Sequence, residues 1–235
     1  MSLGRIPRSF ISYLFAAVLV TSAVMAAVIV RTAPQQAPEI EGAVLATPLA
    51  LPNFELRDHN GRPVHKVDLK GRWQLISYGY TQCPDICPTM LSSLAGFRQL
   101  LDQESKFADL QVLFYSIDPE RDSVEKLANY VPWFDRRFLG LRADDAKQAA
   151  IFERSLGLQS YTANSDEPAD GAALQNDGAS GPQIAHGFRL YLLDDQARLR
   201  ASLAPISARD GSKYYEAETL LHDYLALRTW FAKQG

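Results

Sequence analysis

The chain has 235 residues, 47% of them hydrophobic and 22% charged, with a formal net charge of −3 at pH 7. Those proportions exclude a disordered, collagen-like or disulfide-rich miniprotein and suit one globular domain. Arg5, Arg8 and Arg31 have no acidic counterpart before position 32, so the rest of the chain is more acidic than the whole, which argues against a nucleic-acid partner.

From Phe10 to Val30 runs FISYLFAAVLVTSAVMAAVIV, free of charge and about the ~20 residues a helix needs to cross the hydrocarbon core. With Arg5 and Arg8 ahead of it, the positive-inside rule places residues 1–9 in the cytoplasm and everything after Arg31 on the far side. The alternative is a cleaved signal peptide with Val24-Met25-Ala26 at its cleavage site; the apolar run beyond that point favours an uncleaved transmembrane anchor over residues 10–30. Either way the remaining chain is exported to a compartment that permits disulfides. Residues 31–52, with prolines at 34, 38, 48 and 52, read as a semi-extended tether, and the folded domain is predicted over 53–235.

Within that domain Phe54 to Leu56 and Val64 to Val67 alternate around the turn Asp58-His59-Asn60-Gly61, predicting a hairpin. WQLISYGY (73–80) and LQVLFYSI (110–117) read as buried strands. Met90, Leu91, Leu94, Phe97 and Leu101 recur at helical spacing between them, with Pro88 in the first turn, so 73–117 is a βαβ unit. Asp122, with Glu125 three residues on, predicts the N-cap of a helix through Leu127 and Val131. A strand at Phe138 to Leu141, a helix from Asp144 to Leu156, a second hairpin over 188–203 and a closing helix through Leu220, Tyr224 and Phe231 follow. Parallel βαβ units, an antiparallel hairpin and a terminal helix predict an α/β fold, a thioredoxin-like central mixed sheet flanked by helices and preceded by the anchor. Thr162 to Ile184 lacks sustained periodicity and reads as a long mobile loop, either a surface insertion or a lid.

The only two cysteines, Cys83 and Cys87 of CPDICP, fall where the first buried strand gives way to its helix. Helix N-termini stabilise thiolates, so both are expected to deprotonate easily. A helical turn would bring them to one face within disulfide range. The pair can bridge as a disulfide, hold a metal ion or be two small buried side chains; the prolines, the export and the strand-to-helix turn favour chemistry. Two thiolates are soft donors that suit Cu(I), whereas structural zinc takes four protein ligands, so a third ligand becomes the question. His59 and His65 read as solvated residues of the first hairpin and His222 as a surface or packing residue of the last helix. His186, entering the FRLYLL strand, could face the cysteine loop.

GYTQCPDICP (79–88), SIDPERD (116–122) and a histidine shortly before YLLDD together resemble the Sco/SenC family over roughly residues 53 to 232. The resemblance implies a membrane-anchored, thioredoxin-like copper protein serving the copper A centre of cytochrome c oxidase subunit II. It also implies Cys83, Cys87 and His186 as metal ligands, with Cys83 and Cys87 the redox-active pair. Ala185 and Gly187 depart from the family, where an aspartate precedes the histidine and a hydroxyl residue commonly follows it. Asp118 is expected near the site or as a turn residue, and Asp122 as a helix cap. The expected function is therefore a metallochaperone in a bacterial inner membrane with its domain in the periplasm, copper as Cu(I) or Cu(II), and exchange with other copper chaperones or thiol reductants. A thiol-disulfide oxidoreductase acting on the copper acceptor, a peroxidase and a redox or copper sensor are the rivals.

Overall fold

The computed structural model describes Tyr13 and residues 16–25, 36–158, 160–162, 184–186, 189–208 and 213–234. The chain divides into two units, Met1–Gln36 and Ala37–Gly235. In the first, residues 16–25 are helical; among the described residues no helix is long and apolar enough to cross a membrane. The remainder of the predicted span, Tyr13 apart, lies outside the described residues.

The second unit is built around two strands, β4 (Trp73–Gly79) and β5 (Leu110–Ser116), paired in parallel from Trp73 opposite Leu110 to Gly79 opposite Ser116. All of β4 is buried, as a strand covered on both faces must be, and this explains its unbroken apolar and aromatic run. β6 (Leu139–Arg142) continues the parallel side, and the hairpin of β2 (Glu55–Asp58) and β3 (Pro63–His65) closes that edge. On the other side β9 (Leu190–Leu193), β10 (Arg198–Leu203) and β1 (Gly42–Ala50) pair antiparallel, giving the order β1-β10-β9-β4-β5-β6-β2-β3.

Helices α1 (Ile86–Leu101), α2 (Val124–Phe134) and α4 (Ala217–Ala232) share the core on one face of this mixed sheet. There Leu91, Leu94 and Phe97 meet Leu75, Val112, Phe114, Tyr224 and Leu227. α3 (Ala146–Leu156) covers the other face, with the Phe152 ring 4.8 Å from Tyr115 and 4.9 Å from Phe54. Two small ribbons stand apart from the main sheet. One pairs β7 (Ser160–Thr162) with β8 (Ile184–His186), and the other pairs β11 (Ile206–Ser207) with β12 (Lys213–Tyr214). The two ends of the predicted loop Thr162 to Ile184 are thus paired strands, and residues 163–183 lie outside the described residues.

Three expectations are corrected. The tether ends early, because Gly42–Ala50 is an edge strand against β10. Only Val44, Leu45 and Pro48 of it are half-buried, so it shows no clean alternation, and Pro48 falls where the register shifts, a place an edge strand tolerates. The folded body therefore starts before Asn53, with Leu51 in its core. Val64 to Val67 is strand only as far as His65; Lys66–Leu69 is a 3-10 turn. His59 is buried, not solvated: its Nδ1 accepts from the Gly140 N–H at 3.0 Å, and burial pushes its pKa below the ordinary histidine value. His65 and His222 are exposed or partly so, with the His222 ring beside Asp223 at 3.2 Å.

A fragment of residues 53–235 should melt at least about 5 °C below one of residues 37–235. It loses the β10 pairing partner and buried Leu51, whose burial alone is worth roughly 1.5–3 kcal/mol. Equal melting temperatures in a thermal scan would show that β1 contributes no stability.

Candidate metal centre

β4 and β5 end level with one another, and the Ile117 N–H donates to the Gly79 carbonyl at 2.9 Å as the last rung between them. Beyond it the two chains diverge into the 80–85 and 117–122 segments, which need acceptors other than a ladder. Asp122 supplies them. Its carboxylate is fully buried and accepts from the Thr81 N–H at 2.9 Å, from the Thr81 hydroxyl at 2.5 Å and from the Ser116 hydroxyl at 2.6 Å. Among the described residues it has no cationic partner; three hydrogen bonds hold the charge instead.

This overturns the helix-cap expectation for Asp122. The cap of α2 is Ser123, whose side chain accepts from the Lys126 N–H at 3.2 Å. The sequence pattern fits both residues, and the donors of Thr81 together with the buried Ser116 hydroxyl are what draw the carboxylate inward. Asp118 lies at the end of β5 as expected, mostly buried and paired with Arg121, whose guanidinium stands 5.8 Å from the centre of the Tyr80 ring.

Cys83 and Cys87 are brought together, though not by the helical turn that spacing suggested. The Cys83 N–H donates to the Tyr80 carbonyl at 3.2 Å, curling the chain ahead of the helix, and α1 begins only at Ile86. Cys83 Sγ then accepts from the Cys87 N–H at 3.4 Å, a role that the N-cap residue Asp85 leaves open with its own side chain. Cys87 is wholly buried and Cys83 is 8% exposed. Behind them Gly79 is required: a Cβ there would run into Cys87 Sγ and come within 3.3 Å of the Phe114 ring.

The expectation that both cysteines deprotonate easily fails for Cys87. Its hydrogen bond to the Cys83 side chain, and then its burial, push its thiol well above the ordinary range. The N-terminal dipole of α1, worth about 0.3–1 kcal/mol and ~2 in the best geometries, does not offset that desolvation. Tyr130 of α2 closes the site from the helix side, with its ring 5.9 Å from Phe114 and 5.3 Å from Phe134. Burial first, then the charges of Cys87, Cys83 and Asp122, push the phenol up.

His186 ends β8 opposite Ser160 in the small ribbon. Among the described side chains no group of three or more His, Cys, Asp or Glu could hold a metal ion. What the centre offers on its own is two adjacent thiols packed against Gly79, where Cys87 Sγ leaves no room for a Cβ. Sequence reasoning missed Asp122, Thr81 and Ser116 as one network; a hydroxyl residue at the end of each central strand was the available signal.

The SCO1/SenC family model matches residues 45–216. The chain belongs to the SCO1/SenC family. A mitochondrial SCO2 homologue from Bos taurus is 41% identical over 141 residues, 60% of this chain and 48% of that protein. The chain spans about half the length of the mitochondrial SCO2 homologues it matches. A Stutzerimonas stutzeri protein named as a candidate copper-binding protein is 36% identical over 162 residues, 69% of this chain and 72% of its own. The crystal structure of Arabidopsis thaliana ScoI with copper bound is 24% identical and covers 76% of this chain and 98% of its own, with a TM-score of 0.61. That likeness establishes the thioredoxin-like fold.

In this SCO1/SenC protein Asp122→Ala should leave three donors, the buried Ser116 hydroxyl and two of half-buried Thr81, without their acceptor, at roughly 1–3 kcal/mol for each that water cannot reach. We expect a lower melting temperature and faster alkylation of Cys83 and Cys87 by a thiol reagent, with Asp122→Asn intermediate because it keeps an acceptor for Thr81. Unchanged alkylation in Asp122→Ala would mean that the network does not hold the cysteine loop.

Proposed function

We propose that this chain is a membrane-anchored copper chaperone that matures the copper A centre of cytochrome c oxidase subunit II. In this reading it carries one copper ion as cargo on Cys83, Cys87 and His186. The observation that carries the reading is the contact of the two thiols at the sheet end of a SCO1/SenC domain, with Cys87 N–H on Cys83 Sγ. Two soft donors side by side suit Cu(I), which accepts low coordination, and an imidazole would complete a three-coordinate site able to hold Cu(II) as well. The copper named for the Stutzerimonas relative and bound in the Arabidopsis structure is consistent with this chemistry.

Loading must release protons, because the metal binds thiolates, and the hydrogen bond to the Cys83 side chain and then burial favour the protonated Cys87 thiol without it. Unloading proceeds by exchange of thiolates with an acceptor, and Cys83, the less buried of the two, is the side from which a partner would enter. Oxidation of the pair to a disulfide removes both thiolate donors and empties the site. The charge-free run from Phe10 to Val30 behind Arg5 and Arg8 supports anchoring in a bacterial inner membrane with the domain in the periplasm.

The adjacency of the thiols also favours a second reading, a thiol-disulfide oxidoreductase that reduces the cysteines of the acceptor. His186 separates the two, since thiol exchange depends on thiolate character and access and not on an imidazole ligand. His186→Ala should weaken copper binding at least about tenfold, alter the Cu(II) spectrum and abolish oxidase maturation, yet leave exchange with a model disulfide intact. Normal maturation with unchanged copper affinity would sink the chaperone reading in favour of the reductase.

A further inference from the structure

The amino ends of β4 and β5 lie at the opposite end of the sheet from the cysteines, with seven residues of strand, roughly 20 Å, between the two ends. A cavity of about 420 Å3 opens there among Arg72, Arg98, Gln111, Arg137 and Asp109, with buried Phe138 in its apolar wall. Three guanidiniums thus come from three parts of the chain: Arg72 directly precedes β4, Arg98 belongs to α1, and Arg137 stands two residues before β6.

Arg98 is only 9% exposed. Its Nη1 donates to the Ala108 and Leu110 carbonyls at 3.3 and 3.2 Å and its Nη2 to Asp102 at 2.9 Å, while its Nε has no acceptor among the described residues. Arg137 is paired with Asp102 and Asp135. Asp109, the acidic residue on the lining, gives both oxygens to Arg228 at 2.8 and 3.0 Å. Arg72 has no carboxylate partner among the described residues, and its Nη1 meets Gln111 Oε1 at 3.4 Å, a long bond. Four guanidiniums therefore meet three carboxylates, and one positive charge beside the cavity is uncompensated.

We propose that this cavity binds a phosphate-class oxyanion, free or as the end group of a small organic molecule. A tetrahedral oxyanion presents acceptor oxygens in several directions and can answer donors that converge from separate elements, as a planar carboxylate cannot. Guanidinium forks suit phosphate oxygens, and bonds between charged partners are the strong ones. The carboxylates and carbonyls already on Arg98 and Arg137 hold those two forks in place before a ligand arrives, which lowers the ordering cost of binding. Arg72, exposed and held by one long bond, is the arm free to close on the ligand. A volume within the ordinary range of small-molecule sites leaves room beyond a lone phosphate. The inference does not rest on the copper reading, since no residue of this cavity belongs to the cysteine site.

The test uses the full chain in neutral detergent and phosphate-free buffer, titrated with inorganic phosphate or glycerol 3-phosphate and followed by calorimetry and by melting temperature. We expect a Kd at or below about 1 mM and a melting temperature raised by about 3 °C or more at 10 mM ligand, beyond the effect of sodium chloride at equal ionic strength. Tighter binding of glycerol 3-phosphate supports an esterified phosphate as the ligand, and tighter binding of inorganic phosphate supports the free ion. Arg72→Gln should leave the melting temperature without ligand unchanged and weaken binding at least about tenfold; Arg98→Lys, which keeps a charge but loses the fork, should weaken it as well. No binding of either probe at 10 mM overturns the proposal. So does a response that sodium chloride reproduces, or an affinity that Arg72→Gln leaves unaltered.

Discussion

The site depends on one constraint, that β4 and β5 run parallel and finish level, Gly79 beside Ser116. Parallel neighbours cannot be joined by a hairpin, so α1 must cross over, and it starts seven residues after Gly79, at Ile86. Its first turn then lies directly over the strand it has just left, and Cys87 Sγ fills the hollow that Gly79 leaves. Glycine inside a strand ordinarily weakens it; here it marks the close approach of another atom. The carboxyl ends of parallel strands are where ligand sites form in open α/β sheets, because two diverging loops leave a crevice and unpaired backbone groups between them. In this protein the Asp122 carboxylate and the two thiols share that end of the sheet.

That arrangement sets two electrostatic effects against each other at the cysteines. The amide ends of α1 favour a negative charge, and the burial of Cys87 opposes it. The hydrogen bond to the Cys83 side chain and then burial outweigh the helix end, and the Cys87 thiol is pushed up. In the copper-loaded form proposed above the order would be reversed, since coordination deprotonates a thiol outright. Asp122 adds to the bias by placing a negative charge near the pair, where it raises Cys87 further.

The sheet was legible where residues are buried on both faces. WQLISYG and LQVLFYS admit no amphipathic alternative, and the heptad-like spacing from Met90 to Leu101 leaves α1 one face to bury. β1 was not legible, because an edge strand with exposed positions carries no period for a pattern to find. His59 misled for a related reason: it sits in a turn, as read, yet that turn folds beneath β6 and gives its ring a backbone donor from Gly140. At the site the cysteine pair was plain from composition, whereas Asp122 was ambiguous between two local roles. A cap is decided within four residues of sequence, but the competing acceptor role was decided by Thr81, 41 residues away. Tertiary contacts of that span are invisible to local rules, and the misreadings fall where local preference and the long-range contact disagree.

The two aspartates of SIDPERD divide the holding of the cysteine loop between them. The Asp122 N–H donates to the Asp118 carbonyl at 2.9 Å, closing one turn that sends the two carboxylates in different directions. Asp122 turns inward to Thr81, and Asp118 pairs with Arg121, which lies over Tyr80. Two consecutive loop residues, Tyr80 and Thr81, are thereby fixed from the neighbouring strand end, while Cys87 is fixed by burial in α1. Between these anchors Gln82, Pro84 and Asp85 are exposed. The two sulfurs therefore differ in setting: Cys87 is wholly buried in α1, and Cys83, 8% exposed, lies in the short span between the two anchors.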